Sequence, residues 1–264
     1  MGTVVFDDGT ELRDSFSLSL GSVENAEVIH KFGENLAVGT AYVPVCFGGL
    51  YRTPQPAAAT ALRIKAGDAD DTAAGSGARK VKLYGLDSTG YAVTEEISTN
   101  GTSAGTASTQ TFIRLYRAYV TESGTYGSQS AGSHAADIVI ENAAGTEDWA
   151  TIDATNFPKG QTEIAVYSVP AGKVGYVCGF SCTSDSTKVT DMLLFRRGSI
   201  LDVSPPYEAM RVAYQAQSAG DPVVTRPVTP IGPFPGPCDV GWLAKVSATT
   251  AAVQIDFEIL VMDA

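Results

Sequence analysis

The chain has 264 residues and a formal net charge of −11; 18% of its residues are charged and 44% are hydrophobic. Binding to phosphates requires clustered Lys and Arg, so this acidic balance argues against a nucleic-acid partner. No apolar run approaches the roughly 20 residues of a membrane helix, so no membrane contact is predicted. With 27 Gly and 13 Pro, the composition favours an all-β protein of one large or two small domains.

The first 58 residues show no sustained period. Their acidic start lacks the basic and apolar regions of a secretory signal, which predicts that the chain folds in the cytoplasm where it is made. Residues 22–33 favour a short helix with Ser22 as N-cap and Gly33 past its end. We interpret residues 1–58 as an N-terminal extended arm that becomes ordered on a neighbouring subunit. The predicted partner contacts are aromatic residues of this arm: Phe16, Phe32, Tyr42, Phe47 and Tyr51.

A period of two begins at about residue 59, where Leu62 and Ile64 alternate with Arg63 and Lys65. Similar runs follow, separated by segments rich in Gly, Ser and Asp: RKVKLYGL, YAVTEEIST, TFIRLYRAYVT and ADIVIEN. Alternating runs with such turns are typical of antiparallel strands. They predict a first antiparallel β-sandwich over residues 59–145, and we interpret residues 146–160 as a connector.

A second β series predicts another antiparallel sandwich over residues 161–264. Pro170-Ala171-Gly172 lies between two apolar runs and indicates a hairpin. Six prolines from Pro222 to Pro237 indicate an edge strand or a loop. The strict alternation from Val253 to Val261 predicts a last strand, paired through SATTA with GWLAKV. Jelly-roll and immunoglobulin-like strand orders both fit this pattern.

Motifs for catalysis are weak. Gly101–Gly105 matches the nucleophile elbow, but that motif needs a following helix, and a strand pattern follows here, so a hairpin loop is the better interpretation. Asp68–Asp71 indicates either a solvated turn or a calcium site. The four cysteines, at 46, 178, 182 and 238, are interpreted as small buried hydrophobes, with Cys178 and Cys182 on one strand face. We therefore predict that the protein is not an enzyme, with no catalytic residue, no cofactor and no metal.

Two aromatic patterns leave binding open. Phe112, Tyr116 and Tyr119 alternate with two arginines in one predicted strand, which indicates either a binding surface for bases or sugars or a strand that is half core and half interface. Asp148 and Asp153 flank Trp149, an arrangement compatible with glycan chemistry.

Several segments together resemble a family of tailed-phage virion structural proteins. The most specific are DDTAAGSGARKVKLYGLD and IAVYSVPAGKVGYV; HKFGENLAVGT, STQTFIRLYRAYV, ADIVIEN and FEILVMDA match in the same order. The chain differs at Asp70, where members usually carry Asn, and in CFGGLYRTPQ of the arm. The resemblance spans roughly residues 28–264 and transfers no catalytic residue.

This resemblance implies a virion location and a structural role. The expected function is capsid decoration: the protein would bind the major capsid protein or other virion proteins, as a homo-oligomer, expected to be a trimer, and stabilise the assembled head. The alternative is a tail, neck or fibre component that recognises the host surface or a glycan through aromatics such as Trp149 and Tyr126. A third hypothesis is a soluble carbohydrate-binding or hydrolytic module.

Overall fold

The computed structural model describes residues 4–5, 11–12, 24–49, 51, 58–125, 132–155, 160–185, 187, 189–198, 200–201 and 210–264. Over these ranges the chain contains strands and one 3-10 turn, Phe47–Gly49, and no α-helix. The predicted all-β class is confirmed.

The strands are numbered in chain order. The first are β1 (Val4–Val5), β2 (Glu11–Leu12), β3 (Ala26–Val38), β4 (Val43–Pro44), β5 (Thr60–Ala66), β6 (Ala78–Leu86), β7 (Ala92–Ser98), β8 (Thr111–Phe112), β9 (Arg114–Ser123), β10 (Ile138–Asn142) and β11 (Asp148–Ile152). They are followed by β12 (Val166–Val169), β13 (Lys173–Ser184), β14 (Thr190–Arg197), β15 (Met210–Ser218), β16 (Val223–Thr225), β17 (Ile231–Pro235), β18 (Cys238–Val246) and β19 (Ala251–Asp263).

The first sandwich consists of a four-stranded sheet, β11-β10-β5-β8, and a three-stranded sheet, β7-β6-β9, with antiparallel pairing throughout. Alternate residues of each strand point into a common core, as Leu62 and Ile64 do in β5 and Val81 and Leu83 do in β6. Period-two alternation is what a sheet with one buried face requires. The strands expected from this alternation are therefore present.

The predicted connector, residues 146–160, is partly wrong, because Asp148–Ile152 is an edge strand of the first sandwich. It pairs with β10, with Ile152 opposite Ile138. Trp149 is only 3% exposed and belongs to the core. The run is short and its apolar residues do not alternate strictly, so periodicity alone did not reveal it.

The second sandwich packs the sheet β12-β18-β14-β15 against the sheet β16-β13-β19-β3. β4 lies beside β12 on the same edge of β18, and β17 lies beside β16 on the same edge of β13. Trp242, Phe180 and Phe257 are central to the core, with the Phe180 and Trp242 rings 4.6 Å apart. The proline-rich segment thus supplies edge strands, as its prolines predicted.

Residues 26–44 of the predicted arm belong to this second sandwich, whereas β1 and β2 pair with each other in a separate two-stranded sheet. β3 pairs antiparallel with β19 from Ala26 opposite Met262 to Val38 opposite Ala251, and β4 pairs with β18. The helix predicted over residues 22–33 is therefore wrong. In β3, Lys31, Gly33 and Asn35 are buried at a spacing of two, because a strand turns alternate residues towards the core.

Two predicted pairings within the second sandwich are also wrong. The turn at Pro170 exists, with the Lys173 N–H donating to the Pro170 carbonyl, but it joins β12 and β13, which lie in different sheets. β18 and β19 likewise lie in different sheets, so SATTA is a crossover and not a hairpin. Alternation shows that a strand has one buried face but does not specify its partner.

The two sandwiches share apolar packing. The core of the first includes Cys46, Ile164, Val166 and Phe195, which lie in or beside strands of the second. We call the region where they meet the joint.

Candidate interaction surfaces

A buried ion pair crosses the joint. Arg114 opens β9 of the first sandwich, and its Nε lies 2.8 Å from Oδ2 of Asp239 in β18 of the second; their side chains are 1% and 0% exposed. The Ser168 hydroxyl donates to Oδ1 of Asp239 at 2.6 Å, and the Tyr51 hydroxyl donates to Oδ2. Burial and the Asp239 charge raise the pKa of Tyr51 well above its usual value, which keeps it a neutral donor.

A second polar contact at the joint involves Lys31. Its side chain points inward from β3, and its Nζ donates to the Tyr116 carbonyl of β9 at 2.6 Å. Burial lowers the pKa of Lys31 to about 7, and the charge of Arg117 acts in the same direction. Cys46 and Glu163 oppose this shift. Lys31 is therefore a poorly solvated amine between two packed sandwiches.

The predicted partner-contact residues do not form one surface. Tyr51 lies in the joint, with its ring 6.0 Å from that of Phe195. Phe47 is half-buried in the 3-10 turn. Tyr42 is 38% exposed, and the Lys245 Nζ lies 4.7 Å from the centroid of its ring. Phe32 is half-buried on the outer face of β3, and Phe16 lies outside the described residues. Whether any of them contacts a partner remains a prediction.

The outer face of the three-stranded sheet carries an ordered group of aromatic and basic side chains, which we call the tyrosine–cation face. Tyr84 of β6 and Tyr119 of β9 stack with ring centroids 5.7 Å apart. The Lys82 Nζ lies 5.3 Å from the centroid of the Tyr84 ring, and the Arg117 Cζ lies 5.1 Å from the centroid of the Tyr119 ring. A hydrogen bond of 3.1 Å joins the two hydroxyls, lowering the pKa of Tyr84 and raising that of Tyr119.

The sequence pattern identified this strand only in part. Phe112 and Arg114 are buried, Tyr116 is partly buried against the core of the second sandwich, and only Arg117 and Tyr119 belong to the tyrosine–cation face. One face of the strand is core, and whether its outer face is an interface or a binding surface for bases or sugars stays a prediction. The signal that would have located the face is the outward residue set of β6, Lys80, Lys82 and Tyr84, which lies beside β9.

The outer face of β13, β19 and β3 carries carboxylates, and we call it the acidic face. The register places Phe32, Asp256 and Ser181 in one row across the three strands, and His30 and Glu258 in the next. A bulge at Cys178 brings Gly179 opposite Glu258. A depression of about 120 Å³ lies there, bordered by His30, Ser181, Asp256, Glu258, Val224 and Arg226.

The bulge also corrects the predicted cysteine arrangement. Cys182 points into the core, whereas the extra residue Cys178 is half-exposed, so the two do not share a face. All four thiols are free, and Cys46, Cys182 and Cys238 are buried as predicted. Burial raises the pKa of the Cys46 thiol to about 12.

The remaining motifs have structural roles. Asp71 is fully buried, and its carboxylate accepts backbone N–H bonds from Ala78, Ala135 and Ala136, which ties the aspartate loop to a neighbouring segment. Gly101–Gly105 is a loop with no helix after it. Within the described ranges, no cluster of three or more His, Cys, Asp or Glu has a geometry suited to a metal ion.

Comparisons with known proteins give no family. No protein-family model matches the chain, and no curated protein does. Solved structures similar to the chain include the infectious bursal disease virus Gt strain, with a TM-score of 0.21, 8% identity and coverage of 96% of this chain and 77% of that one. The Gx strain gives 0.18 and 8%, covering 91% and 76%. Similarity at this level does not establish a common fold.

The described residues also contain no helix of the length and apolarity that would span a membrane.

Proposed function

We propose that this chain is a non-enzymatic structural protein of a phage virion, and specifically a capsid decoration protein that binds the assembled head. The observation that carries the proposal is the joint. There a buried Arg114–Asp239 ion pair links the two sandwiches, and the hydroxyls of Tyr51 and Ser168 donate to Asp239. The two sandwiches also pack apolar side chains against each other. A body of this kind can bridge neighbouring capsid subunits without bending between its halves.

The proline-rich edge of the second sandwich offers the apolar surface for such binding. Val224 is 72% exposed, and Val228 is fully exposed. Prolines flank both valines, so the edge has few free N–H groups for unwanted strand pairing. Burying these valines against the capsid would favour the assembled head, because a ligand that binds only one state stabilises that state by mass action.

The copy number of the protein in purified virions tests this proposal. Quantitative mass spectrometry against the major capsid protein is expected to give a copy number of the same order as that protein. A much lower copy number would favour the tail, neck or fibre alternative. Absence from virions would contradict every virion role.

A matched pair of variants tests the edge itself. Replacing Val224 and Val228 together with Ser should release the protein from heads, which should then lose resistance to heat. Val189→Ser, at a position 45% exposed outside this edge, is the control and should leave occupancy unchanged. The tail, neck or fibre alternative has less support, because Trp149, one of its two named aromatics, is buried. Tyr126 lies outside the described residues.

A further inference from the structure

The tyrosine–cation face and the acidic face carry opposite charges on one chain. On the first, Lys80 pairs with Glu122 and Glu96, at 3.0 and 3.5 Å, and Arg79 lies 3.7 Å from Glu122, so two cations balance these two carboxylates. Lys82 and Arg117 have no carboxylate within ion-pair distance among the described residues. The positive charge of this face therefore remains available to a partner.

The acidic face has the reverse imbalance. Among the described residues, the cation within ion-pair distance of Glu258 is exposed Arg226, at 3.7 Å, and an exposed pair at that separation is weak. Asp256 forms no ion pair with a described residue. Two carboxylates thus border a depression whose floor lacks a side chain at Gly179.

We propose that the tyrosine–cation face of one copy of this chain docks on the acidic face of a second copy. Charge complementarity identifies the occupant: Lys82 and Arg117 supply the cations, and Asp256 and Glu258 supply the carboxylates. The contact does not depend on the virion role, because it follows from the two faces of the isolated chain.

The composition of both faces suits a protein contact. Tyr and Arg are enriched among the residues that dominate binding energy at interfaces, and Tyr84, Tyr119 and Arg117 are grouped here. Their rings are already held by stacking and by a hydroxyl–hydroxyl bond, so little side-chain freedom is lost on docking. On the acidic face, half-buried Phe32 adds apolar area beside the carboxylates.

The symmetry of the contact follows from its two different faces. A contact between unlike surfaces is heterologous, so it closes into a ring or extends as a row. The predicted trimer corresponds to a ring of three such contacts.

The test is sedimentation equilibrium of the whole chain over a concentration series, at low and high salt. The wild type should self-associate, and salt should weaken that association because the charges at the contact are partly solvent-exposed. Arg117→Glu and Asp256→Lys should each weaken it by about tenfold or more. Lys65→Glu and Asp148→Lys, exposed positions outside both faces, are the matched controls and should associate as the wild type does.

A mixture of the two variants gives the decisive readout. Arg117→Glu leaves the acidic face intact and Asp256→Lys leaves the tyrosine–cation face intact, so the mixed sample should associate more strongly than either variant alone. Circular dichroism melting of each variant checks that it is folded. A wild type that stays monomeric at low salt, variants that associate normally, or a mixture that fails to recover association would each overturn the proposal. So would binding of the tyrosine–cation face to another virion protein without self-association.

Discussion

The two sandwiches are built from different parts of the sequence. The strands of the first, β5 to β11, come from one continuous stretch, Thr60 to Ile152. The second combines β3 and β4 from near the start with β12 to β19 from the end. The first can therefore be recognised from neighbouring alternating runs, whereas the second depends on pairings that no local pattern contains. The joint connects the two sandwiches, so substitutions there test how far the stability of one sandwich depends on the other.

The largest expected effect is at the joint. Asp239→Ala removes the partner of buried Arg114, and breaking a buried ion pair from one side costs about 3–5 kcal/mol of unfolding free energy. Urea unfolding measures the loss. The double variant Arg114→Met with Asp239→Leu removes both charges and should recover most of it. If the double variant is as unstable as the single one, the pair is not what holds the sandwiches together.

Lys31 should make the stability of the joint depend on pH. Its pKa is lowered to about 7 by burial, while an unfolded lysine titrates near its usual 10.5. Between these values the unfolded chain binds more protons than the folded chain, so the free energy of unfolding should rise with pH above about 7. Below about pH 7 this contribution should be constant and at its lowest. From pH 6 to pH 9 the contribution of Lys31 to the free energy of unfolding should increase by about 2–3 kcal/mol. Arg117, Cys46, Glu163 and Tyr116 are the titratable or charged groups around it.

The comparison with Lys31→Met isolates this contribution. Urea unfolding of wild type and variant at both pH values should show the variant losing the pH dependence and gaining stability at pH 6. Equal pH dependence of the two proteins would contradict the assignment.

A smaller effect is expected at Gly33, where β3 lies close to the backbone of Val45, just after β4, and of Ala165, just before β12. A Cβ at Gly33 would lie 2.2 Å from the Ala165 nitrogen and 2.5 Å from the Val45 carbonyl oxygen. Gly33→Ala should therefore destabilise by about 1–3 kcal/mol through overpacking. Gly39→Ala is the control, since a Cβ there meets nothing within 4 Å. Equal thermal shifts of the two variants would show that the crossing is not tightly packed.

The smallest effect on folding is expected at the proline-rich edge. Val224→Ser should change the unfolding free energy by no more than about 0.5 kcal/mol, because the side chain is already exposed. Urea unfolding checks this. A large loss would mean that Val224 supports the sandwich itself rather than a docking surface.

Alternation predicted most strand locations but not their partners. β5 and β6 followed directly from their apolar positions, because each has one buried face. β3 was missed as a strand because the residue that faces inward at its centre is Lys31, a charged side chain at a position expected to be apolar. An inward-pointing charge on an edge strand also discourages further strand pairing, so the feature that obscured the strand has a structural use.

The interaction surfaces were predictable to a lesser extent. Arg117 and Tyr119 were identified from one strand, but Tyr84 joins them only because β6 lies beside β9. Asp239 carried no signal in the sequence, since its importance comes from burial opposite Arg114, 125 positions away. Such constellations arise from tertiary packing, which single-strand periodicity does not encode.

The pairing of β3 with β19 has a consequence for biosynthesis. A ribosome that makes the chain in order completes the first sandwich while β19 is still untranslated. Throughout that interval β3 lacks its hydrogen-bonding neighbour, and an unpaired strand in a nascent chain is prone to aggregation. The second sandwich can therefore fold only after β19 has been synthesised. We expect truncations within Ala251–Asp263 to yield a chain whose first sandwich is compact and whose second sandwich is unfolded and bound by chaperones.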